Sequence, residues 1–234
     1  MKAIIGGTGL DELYRECEPV EITTEYGKVK LFERNNLVFL PRHGFKHSIP
    51  PHLINYRANV AALKQLGVDE AVGIYSVGAI TRRIAPGEVT LISDFIDFTG
   101  GNRAGTFQDS EGAAVAHVSM EQPFSHALQE KLLSVARKLK FPLSEGGIYV
   151  CTNGPRLESR AEIRMFSHLG GDFVGMTGCP EIFLMAEAGI AFAGIAYCIN
   201  WASGIAASGI MFLDDLTIAE ISKALIALCK AALA

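Results

Sequence analysis

The chain lacks the features that would mark a nucleic-acid binder, a secreted disulfide scaffold or a linear array of modules. It carries 21 Lys and Arg against 25 Asp and Glu, a formal charge of −4, so no positive field is available to hold a phosphodiester backbone. Its five cysteines, Cys17, Cys151, Cys179, Cys198 and Cys229, are odd in number and widely spaced, with no C-x-x-C pair. Zinc sites and redox couples of that pattern are excluded, and reduced core thiols are expected. Pro- and Ser-rich stretches, charge blocks and repeats of solenoid period are missing too, which leaves one domain spanning residues 1–234 as the simplest organisation. The opening MKAIIGGTGL has too short an apolar run for a signal-peptide core, so a cytoplasmic address is the expectation.

Two nucleotide fingerprints fail as well. Counting Gly-x-Gly-x-x-Gly from Gly7 puts Glu12 where the third glycine belongs, which disfavours a nicotinamide-dependent oxidoreductase. No Gly-rich loop runs into Lys followed by Ser or Thr, so a nucleoside triphosphate is not the expected ligand. The stretch 188–213 holds 26 residues without a charge, long enough to span a bilayer. Gly189, Gly194, Gly204, Gly209, Asn200, Ser203 and Ser208 interrupt it, and its flanks are acidic. A buried strand followed by a small-residue loop fits better than a membrane helix.

What is present is a core-forming α/β pattern. At 49% hydrophobic residues over 234, the chain can bury a sizeable core. Strand-length apolar runs occur at Lys2–Gly6, Asn36–Pro41, Glu70–Val77, Val89–Ile92, Gly147–Thr152, Asp172–Met176 and Ile190–Asn200. Most lack strict alternation, as strands covered on both faces by helices do. Helical spacing separates them at Pro51–Leu66 (burying Leu53, Tyr56, Val60 and Leu63), Pro123–Leu139, Arg156–His168, Pro180–Ala188 and Leu216 onward. The fold expected is a single twisted mixed sheet flanked by helices.

Two short stretches carry chemistry. Ala3–Ile5 turns sharply through Gly6, Gly7, Thr8 and Gly9, where backbone N–H groups can converge on an anion. Arg42 and His43 follow the apolar run Leu37–Leu40, so a permanent cation and an imidazole stand at a strand end, where ligands of open α/β sheets bind. Taken singly each is bland: Thr8 reads as a turn hydroxyl and His43 as a satisfied loop histidine. Arg42 is harder to dismiss, because a guanidinium beside an apolar strand needs an anionic partner. Together they read as a site for a small oxyanion.

The segments IIGGTGL, PRHG, INYRAN, YSVGAI, TNGPRLESRAE and VGMTGCPE occur in that order, and the set resembles the trimeric purine nucleoside phosphorylase and methylthioadenosine phosphorylase family. Within it the chain is most similar to the short members acting on S-methyl-5′-thioinosine. The resemblance implies that orthophosphate displaces the purine from a nucleoside, without metal or organic cofactor, in a homotrimer or a dimer of trimers. It implies a phosphate cradle of Thr8, Arg42, His43, Ser76 and Thr177, with Met176 against the sugar and Leu157 beside the substrate. His117 would cover the 5′ end of a neighbouring subunit's sugar. Glu158 and Asn200 would meet the base, and Ala202 stands where adenosine-type members carry aspartate, a pattern similar to the 6-oxopurine enzymes.

The chemistry of the base agrees. Hypoxanthine offers an acceptor O6 and a donor N1–H, the reverse of adenine. Glu158 can accept from N1–H, while the Asn200 amide can donate to O6 or meet a protonated N7 with its carbonyl. After Asn200, an apolar wall from Ile205, Ile210, Met211 or Phe212 would suit a methylthio group. The alternatives left open are a general enzyme for inosine and guanosine, a methylthioadenosine phosphorylase, a hydrolytic nucleosidase using water, and a non-catalytic nucleoside or anion binder.

Overall fold

The computed structural model describes residues 1–7, 18–45, 48–101, 103, 105–108 and 115–234. Thr8, Gly9 and Cys17 lie outside them. Eleven strands and five α-helices alternate along the described residues: β1 Lys2–Gly6, β2 Val20–Thr24, β3 Gly27–Arg34, β4 Leu37–Pro41, α1 Tyr56–Gln65, β5 Glu70–Ala79, β6 Val89–Leu91, β7 Asp94–Asp97, α2 His126–Leu139, β8 Leu143–Ser144, β9 Ile148–Cys151, α3 Arg160–His168, β10 Phe173–Gly175, α4 Glu181–Ala188, β11 Ala191–Trp201 and α5 Asp215–Leu233. The strands form one mixed sheet, in the order β2-β3-β4-β1-β5-β10-β9-β7, with β11, β6 and β8 branching from β5.

β5 is the trunk of that branching. One of its edges pairs in parallel with β11 along almost its whole length, from Glu70↔Ala191 to Ala79↔Trp201. Its other edge pairs in parallel with β1 as far as Gly73 and antiparallel with β10 from Gly78. Between those two partners, at Ile74–Val77, no strand among the described residues pairs with the second edge, and the site is built around this fork.

The seven expected strands are all present. Odd and even residues of β1 divide between two layers, as a sheet covered on both faces requires. Ala3 and Ile5 pack with α1 and α4 residues such as Val60, Leu63 and Ile182, whereas Ile4 packs with Leu128 and Leu132 of α2 and Leu225 and Leu228 of α5. The uncharged stretch 188–213 is β11 and its following loop. No helix among the described residues is long and apolar enough to cross a membrane.

The helix starts differ from expectation for local reasons. Pro51–Leu53 forms a separate 3-10 turn, and α1 begins after Asn55, whose side chain accepts from the Ala58 N–H. Leu53 therefore faces solvent at 64% exposure, while Tyr56, Val60 and Leu63 are buried as expected. α3 begins at Arg160 and not at Arg156, because Ser159 and Glu162 form a reciprocal capping box. That start leaves residues 156–158 as free chain that can turn toward the cavity.

Candidate active site

A cavity of about 350 Å3 opens where β5, β10 and β11 end, the position where parallel strands present ligands. Its volume lies in the range of small-molecule sites. His43, Ser76, Thr177, Met176, Leu157, Glu158 and Asn200 all line it, so residues from five separate stretches of chain meet there.

His43, Ser76 and Thr177 are the lining groups expected for a phosphate. The His43 Nδ1 lies 2.8 Å from the Ile49 carbonyl, and since a carbonyl only accepts, Nδ1 must carry the proton. Ser76 lies beside Tyr197, to which it is hydrogen-bonded; burial pushes that phenol up to about 12, so it remains neutral. Thr177 sits in a turn pinned from beneath. The Tyr149 hydroxyl accepts from the N–H groups of both Thr177 and Gly178 at 3.2 Å, and Cys151 Sγ accepts from the Cys179 N–H. Cys151, Cys179, Cys198 and Cys229 are all buried and reduced.

Arg42 is placed otherwise than a cavity cation would be. Its Nε and Nη2 donate to Glu181 Oε2 and Oε1 at 2.8 and 2.7 Å, and Nη1 donates to the Ile74 carbonyl in the fork of β5. The Tyr75 hydroxyl donates to the same carboxylate at 2.6 Å, and the guanidinium lies over the Tyr75 ring. Both side chains of the ion pair are 1% exposed, and Arg42 does not line the cavity. The anion beside this guanidinium in the structure is Glu181, at the first turn of α4. Burial opposes the guanidinium charge, but Glu181 outweighs it and the arginine stays ionised.

The lining also holds the polar groups expected for a base. A register shift between Cys198 and Asn200 bulges the end of β11, which re-aims the side chain beyond it. Asn200 Nδ2 donates to the Trp201 carbonyl at 2.9 Å. Its second hydrogen and Oδ1 have no partner among the described residues. Gly78 makes room for this amide, since a Cβ there would stand 3.2 Å from Asn200 Nδ2. Glu158 is buried and accepts from Thr152 Oγ1 at 2.7 Å through Oε1, while its backbone carbonyl accepts from Ser203 Oγ. Met176 packs against Gly154, whose φ of +60° favours glycine.

The loop after β11 folds back over the cavity. Phe212 bridges Asn200, and the Leu213 N–H donates to the Ile199 carbonyl at 2.8 Å. Ile210 and Phe212 line the cavity, as expected of an apolar wall. Ile205 instead packs on the cluster around Ile80 and Ile163, and Met211 is 67% exposed and off the cavity. His117 is exposed and does not line the cavity of its own chain. Thr8, the remaining cradle residue, falls outside the described residues.

Residues 2–234 match the model of the phosphorylase superfamily. A probable S-methyl-5′-thioinosine phosphorylase from Thermodesulfovibrio yellowstonii is 40% identical over 86% of this chain and 78% of its own length. A 6-oxopurine nucleoside phosphorylase from Pyrococcus furiosus is 41% identical over 87% and 80%. Among solved structures, a double mutant of the adenosine/methylthioadenosine phosphorylase from Schistosoma mansoni, in complex with adenine, superposes with a TM-score of 0.90 at 30% identity. It covers 99% of this chain and 90% of that one.

Proposed function

Because the chain belongs to the phosphorylase superfamily, we propose that it catalyses phosphorolysis of a 6-oxopurine nucleoside, with S-methyl-5′-thioinosine as the favoured substrate. The observation that carries this reading is the pairing of Glu158 and Asn200 in one cavity, one offering a carboxylate oxygen and the other an amide. The fold alone does not choose the base, since relatives named for 6-oxopurines and a neighbour holding adenine share it. The residues choose it.

In the reaction proposed, a phosphate oxygen held by His43, Ser76 and Thr177 attacks the anomeric carbon as the bond to N9 breaks, and its electron pair moves into the purine. Charge developing on O6 and N7 is met by the second Nδ2 hydrogen of Asn200 and, once N7 is protonated, by Oδ1. Glu158 accepts from N1–H. Met176 provides an apolar, adaptable face for the sugar, and Ile210 and Phe212 surround its 5′ substituent, where a methylthio group is better accommodated than a hydroxyl. Phosphate is a co-substrate, and the steps call for no metal or organic cofactor. His117, exposed and not lining its own cavity, is available to a neighbouring subunit, and we place it over that neighbour's 5′ pocket in a homotrimer.

Base release from methylthioinosine, inosine, guanosine and methylthioadenosine, each with and without phosphate, tests the reading directly. The expected result is strict dependence on phosphate and a preference for the 6-oxo compounds of roughly tenfold or more in kcat/KM. Turnover that continues undiminished in phosphate-free buffer identifies a hydrolase instead.

A further inference from the structure

Thr152 does not line the cavity, yet it holds one of the two carboxylate oxygens that Glu158 could offer to a base. We infer that Thr152 is a positioning residue that sets which purine Glu158 accepts, an inference that rests on the 6-oxopurine reading above.

The geometry is fixed from both ends. Thr152 directly follows β9, and its N–H donates to the Gly175 carbonyl at the end of β10, 2.9 Å away, so its backbone is part of the sheet. Glu158 precedes the capping box of α3, and Ser203 clamps its carbonyl from the loop after β11. Between these anchors, Thr152 Oγ1 donates to Glu158 Oε1 at 2.7 Å. A hydroxyl facing a carboxylate has one useful role, that of donor. Oε1 is thereby occupied, the carboxylate plane is set, and Oε2 is left as an acceptor with no partner among the described residues.

An acceptor is what N1–H of a 6-oxopurine requires. The N1 lone pair of a 6-aminopurine would face it acceptor to acceptor, and a buried polar group left in that state is costly. Without the Thr152 hydroxyl the carboxyl group can rotate and reorganise its hydrogen bonds, and the penalty against the amino base shrinks. Thr152 therefore contributes discrimination as well as rate.

Thr152→Val removes the hydroxyl at nearly constant shape, and Thr152→Ser keeps it. With methylthioinosine, Thr152→Val is expected to lower kcat/KM roughly tenfold, the loss of one hydrogen bond to a charged group. The ratio of methylthioinosine to methylthioadenosine activity should fall with it, the KM for phosphate should stay put, and Thr152→Ser should restore both rate and ratio. In a Glu158→Gln background the valine change should add less than about twofold, because the partner it acts through is altered. Equal losses in the two backgrounds, or an unchanged substrate ratio, would overturn the inference and leave Thr152 as packing alone; Thr152→Ala gives the same comparison should valine prevent folding. A wild type that prefers methylthioadenosine would instead defeat the 6-oxopurine reading itself, so the two failures are separable.

Discussion

Arg42→Ala is expected to lower the stability of the fold by about 3 to 5 kcal/mol, the cost of leaving a buried charge without its partner. Among the described residues the Glu181 carboxylate would keep only the Tyr75 hydroxyl, in a position where neither side chain of the ion pair is more than 1% exposed. Glu181→Ala should be comparably damaging, since it strands the guanidinium. Replacing both at once by Met and Leu should cost far less than either single change, because an apolar pair of similar volume carries no desolvation penalty. Urea unfolding of the wild type and these three variants measures this, a double replacement that costs less than either single change being the diagnostic. An Arg42→Ala protein of near-normal stability whose KM for phosphate has risen steeply would instead show Arg42 acting as a direct phosphate ligand.

The second large effect is expected at Asn200. Asn200→Asp should reduce kcat/KM for methylthioinosine by on the order of 10²- to 10³-fold, the scale seen when a donor to developing negative charge is lost. The carboxylate both removes the Nδ2 hydrogens and sets a negative oxygen against O6. Its cavity position is confined, since Gly78 lies directly against the amide and Ala202 borders the same space, so the new group cannot swing away. Adding Glu158→Ser and Ala202→Asp should move the preference toward methylthioadenosine, because carboxylates can then accept from the 6-amino group. Side-by-side kcat/KM values for the two nucleosides decide it. An Asn200→Asp variant that retains most of its activity on the 6-oxo substrate removes Asn200 from the proposed chemistry.

The central sheet was legible because its strands are buried on both faces and read as unbroken apolar runs. Hairpin β2–β3 was not: Val20–Thr24 and Gly27–Arg34 mix exposed charges with Val29, Leu31 and Phe32 in the core, and a search for continuous apolar runs passes over alternation. β7 is short and only partly buried. The meeting of His43, Ser76, Thr177, Glu158 and Asn200 followed from the resemblance, since no local pattern relates five distant stretches. Local sequence did demand an anion for Arg42, but two anions could satisfy it, a substrate phosphate or the carboxylate of Glu181, and only packing shows which one is buried against it. Thr152 and Ser203 left no signal for a similar reason, as a hydroxyl becomes informative only when the group it holds is known.

The fork at β5 also has a consequence in time. β5 pairs with β1 near the start of the chain and with β11, whose first paired residue lies about 120 positions after Glu70. During synthesis at roughly 5 to 20 residues per second, β11 follows β5 by on the order of 6 to 24 s. Throughout that interval the β11-facing edge of β5, with Val72, Ile74 and Val77 along it, has no strand to pair with, and such an edge is a template for the wrong partner. Long-range parallel pairing is also slow in its own right. Newly made chains should therefore be most prone to misassociate while this middle third is complete and the last third is still arriving, and shielding of that one edge would govern the yield of native protein.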